Sequence, residues 1–548
     1  MTWISRNGIE IRDMTPADLR RRWVERGDCP DRDLYGLLRE GGRAHPGREA
    51  VIDGERTLDY AGLDREVRRI AAALSASGLG SGDIIGIRLP NGWRALVAEL
   101  AVVAIGAVAL PYPAGRGSRD TTSLLGRARA AAGIFESRAD AAVAAELPDV
   151  RAVFTFGADA EPPVSSEVSS LDAAPHADGW EPEPVDPEAP ARILVTSGSQ
   201  SEPKMIAYSH NAMGGGRASY VRALHDGDGP MRGLLLMKTS TSYGSCALVS
   251  LAALGSTLIL ADRFEPAEVL RMVARYRPTH LFGVPTMLRR LAEHPAAPDE
   301  DLSSLRTVVS SAAPLAEVTA AACRQRFGCR VITIYGSSDG INCHTARTGS
   351  APGTGTPDPA VADIRIVDEH GVDVPPGGTG EIWARGPMTP LSYVADPELN
   401  ARYRTEDGWV RSGDRGMFDE HGRLHVLGRL EAVVSRGGFH ISPAEVEREL
   451  STHPAIVDVA CVPVPDADLG ERMCACISQA AATSELTLTD ITDFLEGERG
   501  LERRKLPEYL LRLPELPLAP TGKVCRRTVT AMAAELDPAP DSAKESAR

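Results

Sequence analysis

The sequence predicts an α/β protein with a large N-terminal domain and a small, mobile α+β C-terminal domain. Residues near 30–155 alternate helical and strand patterns, as in Asp64–Ser77 for a helix and Asp83–Arg88 for a strand. Such alternation is typical of layered α/β structure. A second α/β region runs from about 192 to 345, and glycine and proline then punctuate a hairpin-rich, β-rich region from about 350 to 427.

These patterns divide the chain into three expected segments. The large domain, with several α/β subdomains and a β-rich one, is expected at 1–430. A compact α+β domain is expected at 431–536, where Val457–Val464 reads as a strand. The tail, 537–548, is charged and contains proline and alanine, so it is predicted to be disordered. The acidic, proline-rich stretch 157–191 is predicted to be a surface loop.

Composition excludes several classes of protein. The 548 residues are 43% hydrophobic and 25% charged, which suits a large globular core. A net charge of −15 argues against nucleic-acid or membrane-surface binding. The nine cysteines include no CxxC pair, which favours a reducing compartment over a zinc site. The first 22 residues lack an apolar signal segment, and Leu96–Leu110 is too short to span a membrane. We therefore expect a cytoplasmic protein.

The most informative segment is Thr196-Ser197-Gly198-Ser199-Gln200-Ser201-Glu202-Pro203-Lys204. Small hydroxyl residues donate hydrogen bonds to phosphate oxygens, and glycine lets the backbone approach a phosphate closely. The same residue types also make polar surface turns without any ligand. Taken alone, the segment leaves both interpretations open.

Four further segments follow it along the chain and decide between these interpretations. They are Tyr335-Gly336-Ser337-Ser338-Asp339, Ser412-Gly413-Asp414, Gly428-Arg429 through Gly438, and Pro520-Thr521-Gly522-Lys523-Val524. The five motifs, in this order, resemble those of the adenylate-forming enzymes, which include acyl-CoA synthetases, luciferases and peptide-synthetase adenylation domains. That family makes an acyl-AMP from a carboxylic acid and ATP and then passes the acyl group to a thiol. The resemblance covers nearly the whole chain.

The resemblance implies a nucleotide site built from these motifs. Tyr335 would stack on adenine, Asp339 would help to hold Mg²⁺, and Asp414 would accept hydrogen bonds from the ribose hydroxyls. Arg429 would fork onto phosphate oxygens, and Lys523 would be the catalytic lysine that neutralises charge on the α-phosphate. The alternatives are a turn carboxylate, a surface arginine and a solvated lysine. The full implied nucleotide set is Thr196, Ser197, Gly198, Ser199, Lys204, Ala312, Ala313, Pro314, Tyr335, Gly336, Ser338, Asp339, Asp414 and Arg429.

The resemblance also implies sites for the second half-reaction and for the acid. Glu431 matches the hinge on which the small domain rotates. A coenzyme A channel would be lined by Gly437, Gly438 and His440, and an acyl pocket by Ser240, Thr241, Tyr243 and Gly283. Ser240 and Thr241 align with an aromatic–histidine pair of the family, so we expect a wide pocket for a bulky or cyclic acid. An error of alignment in this variable segment is the alternative.

Four departures from the family pattern fall on the side of the site that handles ATP. Gln200 replaces a hydroxyl residue, Ser201 and Met205 replace glycines, and Asp339 replaces a longer glutamate. The main expectation is an acyl-CoA ligase of secondary metabolism that uses ATP, coenzyme A and Mg²⁺. The alternatives are an enzyme that only converts acyl-AMP to acyl-CoA, supplied by a separate adenylating enzyme, and one that loads a carrier protein. A non-catalytic scaffold is disfavoured by the retained Asp414, Arg429 and Lys523. A homodimer is compatible with the resemblance.

Overall fold

The structure is a computed structural model, and it describes most of the chain. The described residues are 1–54, 56–113, 118–157, 168–177, 179–196, 203–225, 229–298, 300–340, 342–343, 355–358, 361–430, 433–437, 439–466, 468–480, 484–519 and 523–535. The predicted hinge residue Glu431, the predicted channel residue Gly438 and the predicted disordered tail 537–548 lie outside them.

Most of the described helices are short and amphipathic. Several begin at an aspartate, such as Asp33 and Asp59, whose side chains accept hydrogen bonds from the backbone of Gly36 and Gly62. No helix among the described residues is both long and apolar enough to cross a membrane. The α-helices are α1 (Ala17–Glu25), α2 (Leu34–Ala44), α3 (Tyr60–Ala76), α4 (Trp93–Ala104), α5 (Ser118–Arg127), α6 (Arg138–Ala145), α7 (Ala218–Leu224), α8 (Cys246–Leu254), α9 (Pro266–Tyr276), α10 (Pro285–Glu293), α11 (Glu317–Phe327), α12 (Pro397–Tyr403), α13 (Pro443–Leu450), α14 (Leu488–Asp493) and α15 (Arg526–Ala534); π-helices cover Ala212–Arg217 and Phe494–Glu498, and a 3-10 turn covers Arg503–Lys505.

The strands are mostly four to six residues long in the N-terminal part and longer near the C-terminus. They are β1 (Thr2–Ile4), β2 (Glu10–Arg12), β3 (Glu49–Ile52), β4 (Thr57–Asp59), β5 (Ile84–Arg88), β6 (Val108–Pro111), β7 (Ala132–Phe135), β8 (Ala152–Thr155), β9 (Val168–Ser170), β10 (Pro190–Val195), β11 (Met205–Ser209), β12 (Arg232–Leu235), β13 (Thr257–Leu260), β14 (His280–Gly283), β15 (Thr307–Ser310), β16 (Arg330–Thr333), β17 (Tyr335–Gly336), β18 (Asn342–Cys343), β19 (Asp363–Val367), β20 (Gly380–Arg385), β21 (Ser392–Tyr393), β22 (Val410–Phe418), β23 (Leu424–Arg429), β24 (Val434–Arg436), β25 (Phe439–Ile441), β26 (Ile456–Asp466), β27 (Gly470–Gln479) and β28 (Tyr509–Arg512).

Two large, mainly parallel sheets organise the N-terminal part. One has the order β21-β11-β10-β6-β5-β7-β8-β9, and the other has the order β16-β15-β14-β12-β13-β3-β4. Their fully buried strands and the buried helix α4 form the extended apolar core. A sheet of order β19-β20-β22-β23 follows along the chain. The α/β fold class is thereby confirmed.

The two sheets do not follow the two predicted α/β regions. Strands β3 and β4 leave the first region and join the second sheet, whereas β10 and β11 leave the second region and join the first sheet. The expectation of an uninterrupted surface loop at 157–191 is also wrong, because β9 pairs with β8 and Leu171 is buried. Local patterns identify strands, but pairing between distant segments depends on packing that they do not encode.

The chain divides into two compact units. The first contains Met1–Leu315, Ala322–Ser412 and Gly416–His425, and the second contains Ala316–Ala321, Gly413–Arg415 and the residues from Val426 onward. In the second unit, β25-β24-β27-β26 form a sheet to which β28 is added beside β27. Its core contains apolar residues such as Ile456 and Met473. The boundary after residue 430 stays a prediction.

Candidate active site

The ends of the predicted phosphate loop are fixed by the hairpin of β10 and β11. These strands are antiparallel, with Val195 opposite Met205. The backbone N–H of Thr196 donates to the carbonyl of Lys204 at 3.0 Å, and that of Lys204 donates to Oγ1 of Thr196 at 3.1 Å. Ser197, Gly198, Ser199, Gln200 and Ser201 lie outside the described residues. Met205, where the family has glycine, is buried in the core beside β10, which gives this departure a packing role.

A carboxylate, a lysine and two tyrosines meet next to the base of this loop. The hydroxyl of Tyr393 donates to Oδ1 of Asp339 at 2.5 Å, and Nζ of Lys204 lies 3.8 Å from the same oxygen. Lys204 Nζ also lies 4.2 Å from the centre of the Tyr403 ring, close enough for a cation–π contact. Burial, followed by the Asp339 carboxylate, raises the pKa of Tyr393. Tyr393 therefore stays a hydrogen-bond donor to Asp339.

The residues at Asp339 are compatible with Mg²⁺. Magnesium is commonly bound by one or two carboxylates together with substrate phosphates and water. Both contacts just described are to Oδ1, so Oδ2 is the oxygen that neither Tyr393 nor Lys204 engages. In the described part of the chain, no group of three or more His, Cys, Asp or Glu side chains could hold a metal by itself. The site thus fits a metal that phosphate oxygens help to bind.

The turn that carries Tyr393 is held by buried arginines from distant segments. Arg20 in α1 donates to the carbonyl of Thr389 at 2.9 Å and pairs with Asp13 at 2.9 Å. Arg404 donates to the carbonyl of Pro390, also at 2.9 Å. Buried hydrogen bonds from charged groups are among the stronger polar contacts in proteins. The N-terminal segment therefore contributes to the position of the Tyr393 hydroxyl.

The predicted adenine side is formed by two neighbouring segments. Tyr335 and Gly336 form β17, which pairs with β18, and Ser311 Oγ donates to the carbonyl of Ile334 at 3.3 Å. Ala312 has a φ of 79°, in the left-handed region that residues with a Cβ seldom occupy. Strained backbone of this kind is concentrated at ligand sites. Ala313 is half-buried and Pro314 is exposed.

The predicted acyl-pocket loop is compact. Ser240, Thr241 and Tyr243 lie between β12 and α8 and are partly buried. Oγ1 of Thr241 donates to the carbonyl of Lys238 at 2.8 Å, and the Tyr243 hydroxyl donates to the carbonyl of Val309 at 3.0 Å. A Cβ on Gly283 would lie 2.9 Å from Cδ2 of Leu288. The small size of Gly283 thus accommodates the side chain of Leu288.

In the second unit, three charged residues from separate motifs are brought together. Arg429 Nε lies 3.2 Å from Oδ1 of Asp414, and the N–H of Leu430 donates to the carbonyl of Gly413 at 2.8 Å. The pKa of Lys523 is lowered, first by desolvation and then by the positive charge of Arg429, whereas Asp414 acts to raise it. The lysine therefore lies within electrostatic range of both partners.

The predicted coenzyme A channel is described only in part. Gly437 has a φ of 56°, and its N–H donates to the carbonyl of Leu469 at 2.8 Å, so this glycine forms a turn. His440 lies in β25, opposite Ser435 in β24. Gly438 lies outside the described residues, so its place in a channel stays a prediction.

Comparison with known proteins gives the family. The model of the AMP-binding enzyme family matches residues 38–394, and that of the AMP-binding enzyme C-terminal domain matches 445–523. The chain belongs to the AMP-binding enzyme family. This AMP-binding enzyme is of the acid–thiol ligase type, as the resemblance of its motifs implied.

Its relatives cover almost the whole chain. Triostin synthetase I of Streptomyces triostinicus is 33% identical over 94% of this chain and 98% of that protein. The 2-hydroxy-7-methoxy-5-methyl-1-naphthoate–CoA ligase of Streptomyces carzinostaticus is 28% identical over 95% of this chain and 97% of its own length. Among solved structures, an amide bond synthetase from Marinactinospora thermotolerans is 31% identical with a TM-score of 0.80, covering 91% of this chain and 99% of that one.

Sequence reasoning missed several polar side chains around the predicted site. Tyr393 was not identified, because its partner Asp339 is 54 positions away and a tyrosine in a short apolar segment reads as core. Tyr403 and the buried Arg217 were missed for the same reason. A charged residue such as Arg217 beside three consecutive glycines was the only local signal.

Proposed function

We propose that this AMP-binding enzyme joins a ring-containing carboxylic acid to coenzyme A through an acyl-adenylate. In the first half-reaction, a carboxylate oxygen attacks the α-phosphorus of ATP, and pyrophosphate leaves. In the second, the thiol sulfur attacks the acyl carbon, the bond to the phosphate oxygen breaks, and AMP leaves with that electron pair. The thiol gives its proton to water.

The observation that carries this proposal is the meeting of Asp414, Arg429 and Lys523 in the second unit. A carboxylate accepts hydrogen bonds from a ribose diol, and a guanidinium and an ammonium stabilise negative charge on phosphate. The 3.2 Å pair of Asp414 and Arg429 keeps one anion and one cation side by side, and the charge of Arg429 affects Lys523. These residue types suit the two ends of AMP.

In the first unit, Lys204 and Asp339 serve the ATP half-reaction. Lys204 is held at the base of the loop between β10 and β11, where its ammonium balances phosphate charge. Asp339 would hold Mg²⁺ through Oδ2, and the metal, when bound, would neutralise phosphate charge. Tyr393 fixes the carboxylate by its hydrogen bond to Oδ1.

The acid is proposed to contain a ring system. Ser240 and Thr241 are small and partly exposed, and the ring of Tyr243 lies 6.4 Å from that of Phe282, so an aromatic surface adjoins the loop. Flat apolar substrates pack well on such surfaces. The naphthoate–CoA ligase among the relatives acts, by its name, on a fused-ring acid.

A second candidate is the thioester-forming half-reaction alone, with acyl-AMP made by a separate adenylating enzyme. The specific observation is the Lys204 ammonium 3.8 Å from Asp339, a carboxylate one methylene shorter than the family glutamate. An internal cation partly balances the charge that would otherwise attract the metal. This candidate would keep the AMP and coenzyme A sites and lose the use of ATP.

Two reaction mixtures test the proposal. One contains ATP, Mg²⁺, coenzyme A and a panel of acids from acetate to naphthoates, and the other contains synthetic naphthoyl-AMP and coenzyme A. Pyrophosphate release and mass spectrometry of the products are measured for the parent, for Lys523→Ala and for the control Lys505→Ala. A primary amine and a pantetheinylated carrier protein replace coenzyme A in parallel arms.

The proposal expects naphthoyl-CoA in both mixtures, with loss of pyrophosphate release in Lys523→Ala and retention in Lys505→Ala. Product only from naphthoyl-AMP supports the second candidate. Product only with the amine or the carrier protein refutes the proposed acceptor, and a preference for acetate refutes the proposed acid.

A further inference from the structure

Arg217 is a buried cation that links two predicted parts of the site. It ends the π-helix Ala212–Arg217, and its side chain is 2% exposed. No function described above uses it. An isolated buried charge is costly, so its contacts must compensate for lost hydration.

One set of contacts holds the acyl-pocket loop. Nη1 of Arg217 donates to the carbonyl of Ser242 at 3.1 Å and to Oγ of Ser245 at 2.8 Å. Nη2 donates to Oγ of Ser242 at 3.2 Å. The planar guanidinium thus binds one stretch of loop with two nitrogens, which the single ammonium of lysine cannot reproduce.

The opposite contact leads to the segment that carries Asp339. The guanidinium carbon of Arg217 lies 4.8 Å from the centre of the Tyr208 ring, and the Tyr208 hydroxyl donates to the carbonyl of Ser338 at 2.8 Å. Ser338 directly precedes Asp339. A path of three side-chain contacts therefore joins the acyl-pocket loop to the predicted nucleotide segment.

The π-helix brings Arg217 into this place by close backbone packing. A Cβ on Gly214 would lie 2.7 Å from Leu37, one on Gly215 would lie 2.6 Å from the carbonyl of Asp28, and one on Gly216 would collide with the backbone of Met388. Three consecutive residues without side chains therefore let this helix pack against two separate segments. π-Helical turns are rare and are frequent at functional sites.

We propose that Arg217 is a positioning residue that holds the acyl-pocket loop against the nucleotide segment, so that binding of the acid and binding of AMP strengthen each other. The inference rests on the proposed function, because it needs both ligands. Coupling between two sites is reciprocal: the factor by which the acid strengthens AMP binding equals the factor by which AMP strengthens acid binding.

Isothermal titration calorimetry of the full chain tests the inference. The affinity for AMP is measured with and without saturating 1-naphthoate, and the affinity for 1-naphthoate with and without AMP. The variants are Arg217→Lys, Ser242→Ala and Tyr208→Phe, and Arg222→Lys on the exposed face of α7 is the control. If Arg217→Lys does not fold, the other two variants still break the path, one at each end.

The parent and the Arg222→Lys control should show the same coupling factor, above one, in both directions. Arg217→Lys should weaken naphthoate binding about ten- to hundredfold, the usual effect of losing a hydrogen bond to a charged group, and bring the coupling factor to one. Ser242→Ala should weaken the acid more than AMP, Tyr208→Phe should weaken AMP more than the acid, and each should lower the factor.

Three results overturn the inference. A parent whose AMP affinity is unaffected by the acid has no coupling to explain. Arg217→Lys with the parental coupling factor removes the residue from the path. Equal weakening of both ligands by all variants, including the control, indicates general destabilisation. A parent that binds neither AMP nor any acid of the panel refutes the proposed function itself.

Discussion

Acidification from pH 7 to pH 5 should destabilise the first unit through His210. This ring is fully buried, and its Nδ1 accepts a hydrogen bond from the N–H of Leu34 at 3.2 Å. Burial lowers the pKa of His210 to about 4, against the smaller opposing effects of Asp33 and Asp186. Protonation of Nδ1 would also break the bond from Leu34. The folded state therefore resists the proton that the unfolded chain accepts.

The size of the effect follows from the two pKa values. An unfolded histidine titrates near 6.5, so between about pH 6.5 and 4 the unfolded state binds more protons than the folded state. Stability then falls as the pH falls, by up to about 1.4 kcal/mol per pH unit. From pH 7 to pH 5 the loss is about 2 kcal/mol. The pKa values of Asp301 and Asp466 are lowered to about 2 by their hydrogen bonds, so these carboxylates act mainly below this window.

Urea unfolding at pH 7 and pH 5 measures the loss, and His210→Gln removes the titrating ring. The control is His370→Gln, because His370 has 77% of its side chain exposed. The pH-dependent loss should shrink by about 2 kcal/mol in His210→Gln and be unchanged in the control. Hydrogen–deuterium exchange at the imidazole carbon gives the pKa of His210 directly. A value near 6.5, or an unchanged loss in His210→Gln, would refute the reasoning.

Three further predictions concern the site. Tyr393→Phe should destabilise the first unit by about 1.5–3 kcal/mol, because the buried carboxylate of Asp339 loses its donor; urea unfolding measures it, and parental stability would contradict the role. The chain has five lysines, so NMR of ¹³C-methylated lysines can follow Lys523, whose pKa should lie below that of an ordinary lysine and rise in Arg429→Met; an unchanged titration would separate the two residues. Gly438→Leu should block acyl transfer from acyl-AMP to coenzyme A while pyrophosphate release continues, and parental transfer would exclude Gly438 from the channel.

The sequence allowed the fold class and family to be predicted because their signals are local. Helix and strand periods lie within short windows, as in Tyr60–Ala76 against the predicted Asp64–Ser77. The adenylate-forming motifs are likewise short, and their order along the chain carries the resemblance. Each depends on residues that are neighbours in the sequence.

Pairing between distant segments could not be predicted in the same way. Nothing local indicates that β3 joins the sheet of β13, or that Arg192 in β10 forms a fully buried ion pair with Glu99 in α4 at 2.5 Å. The partner of Tyr393 was missed for the same reason. Such contacts depend on the packed interior, where a polar group is stable only if its partner arrives from elsewhere in the chain.

The bond from Arg20 to the carbonyl of Thr389 has a consequence for biosynthesis. Its two ends are 369 residues apart, and at a synthesis rate of about 5–20 residues per second the arginine is made roughly 20–70 seconds before its acceptor. During that time Asp13 is the partner already available to it. The turn that bears Tyr393 thus closes late, against a helix that has waited, and ribosome-bound chains that stop short of residue 389 should hold α1 open to proteases.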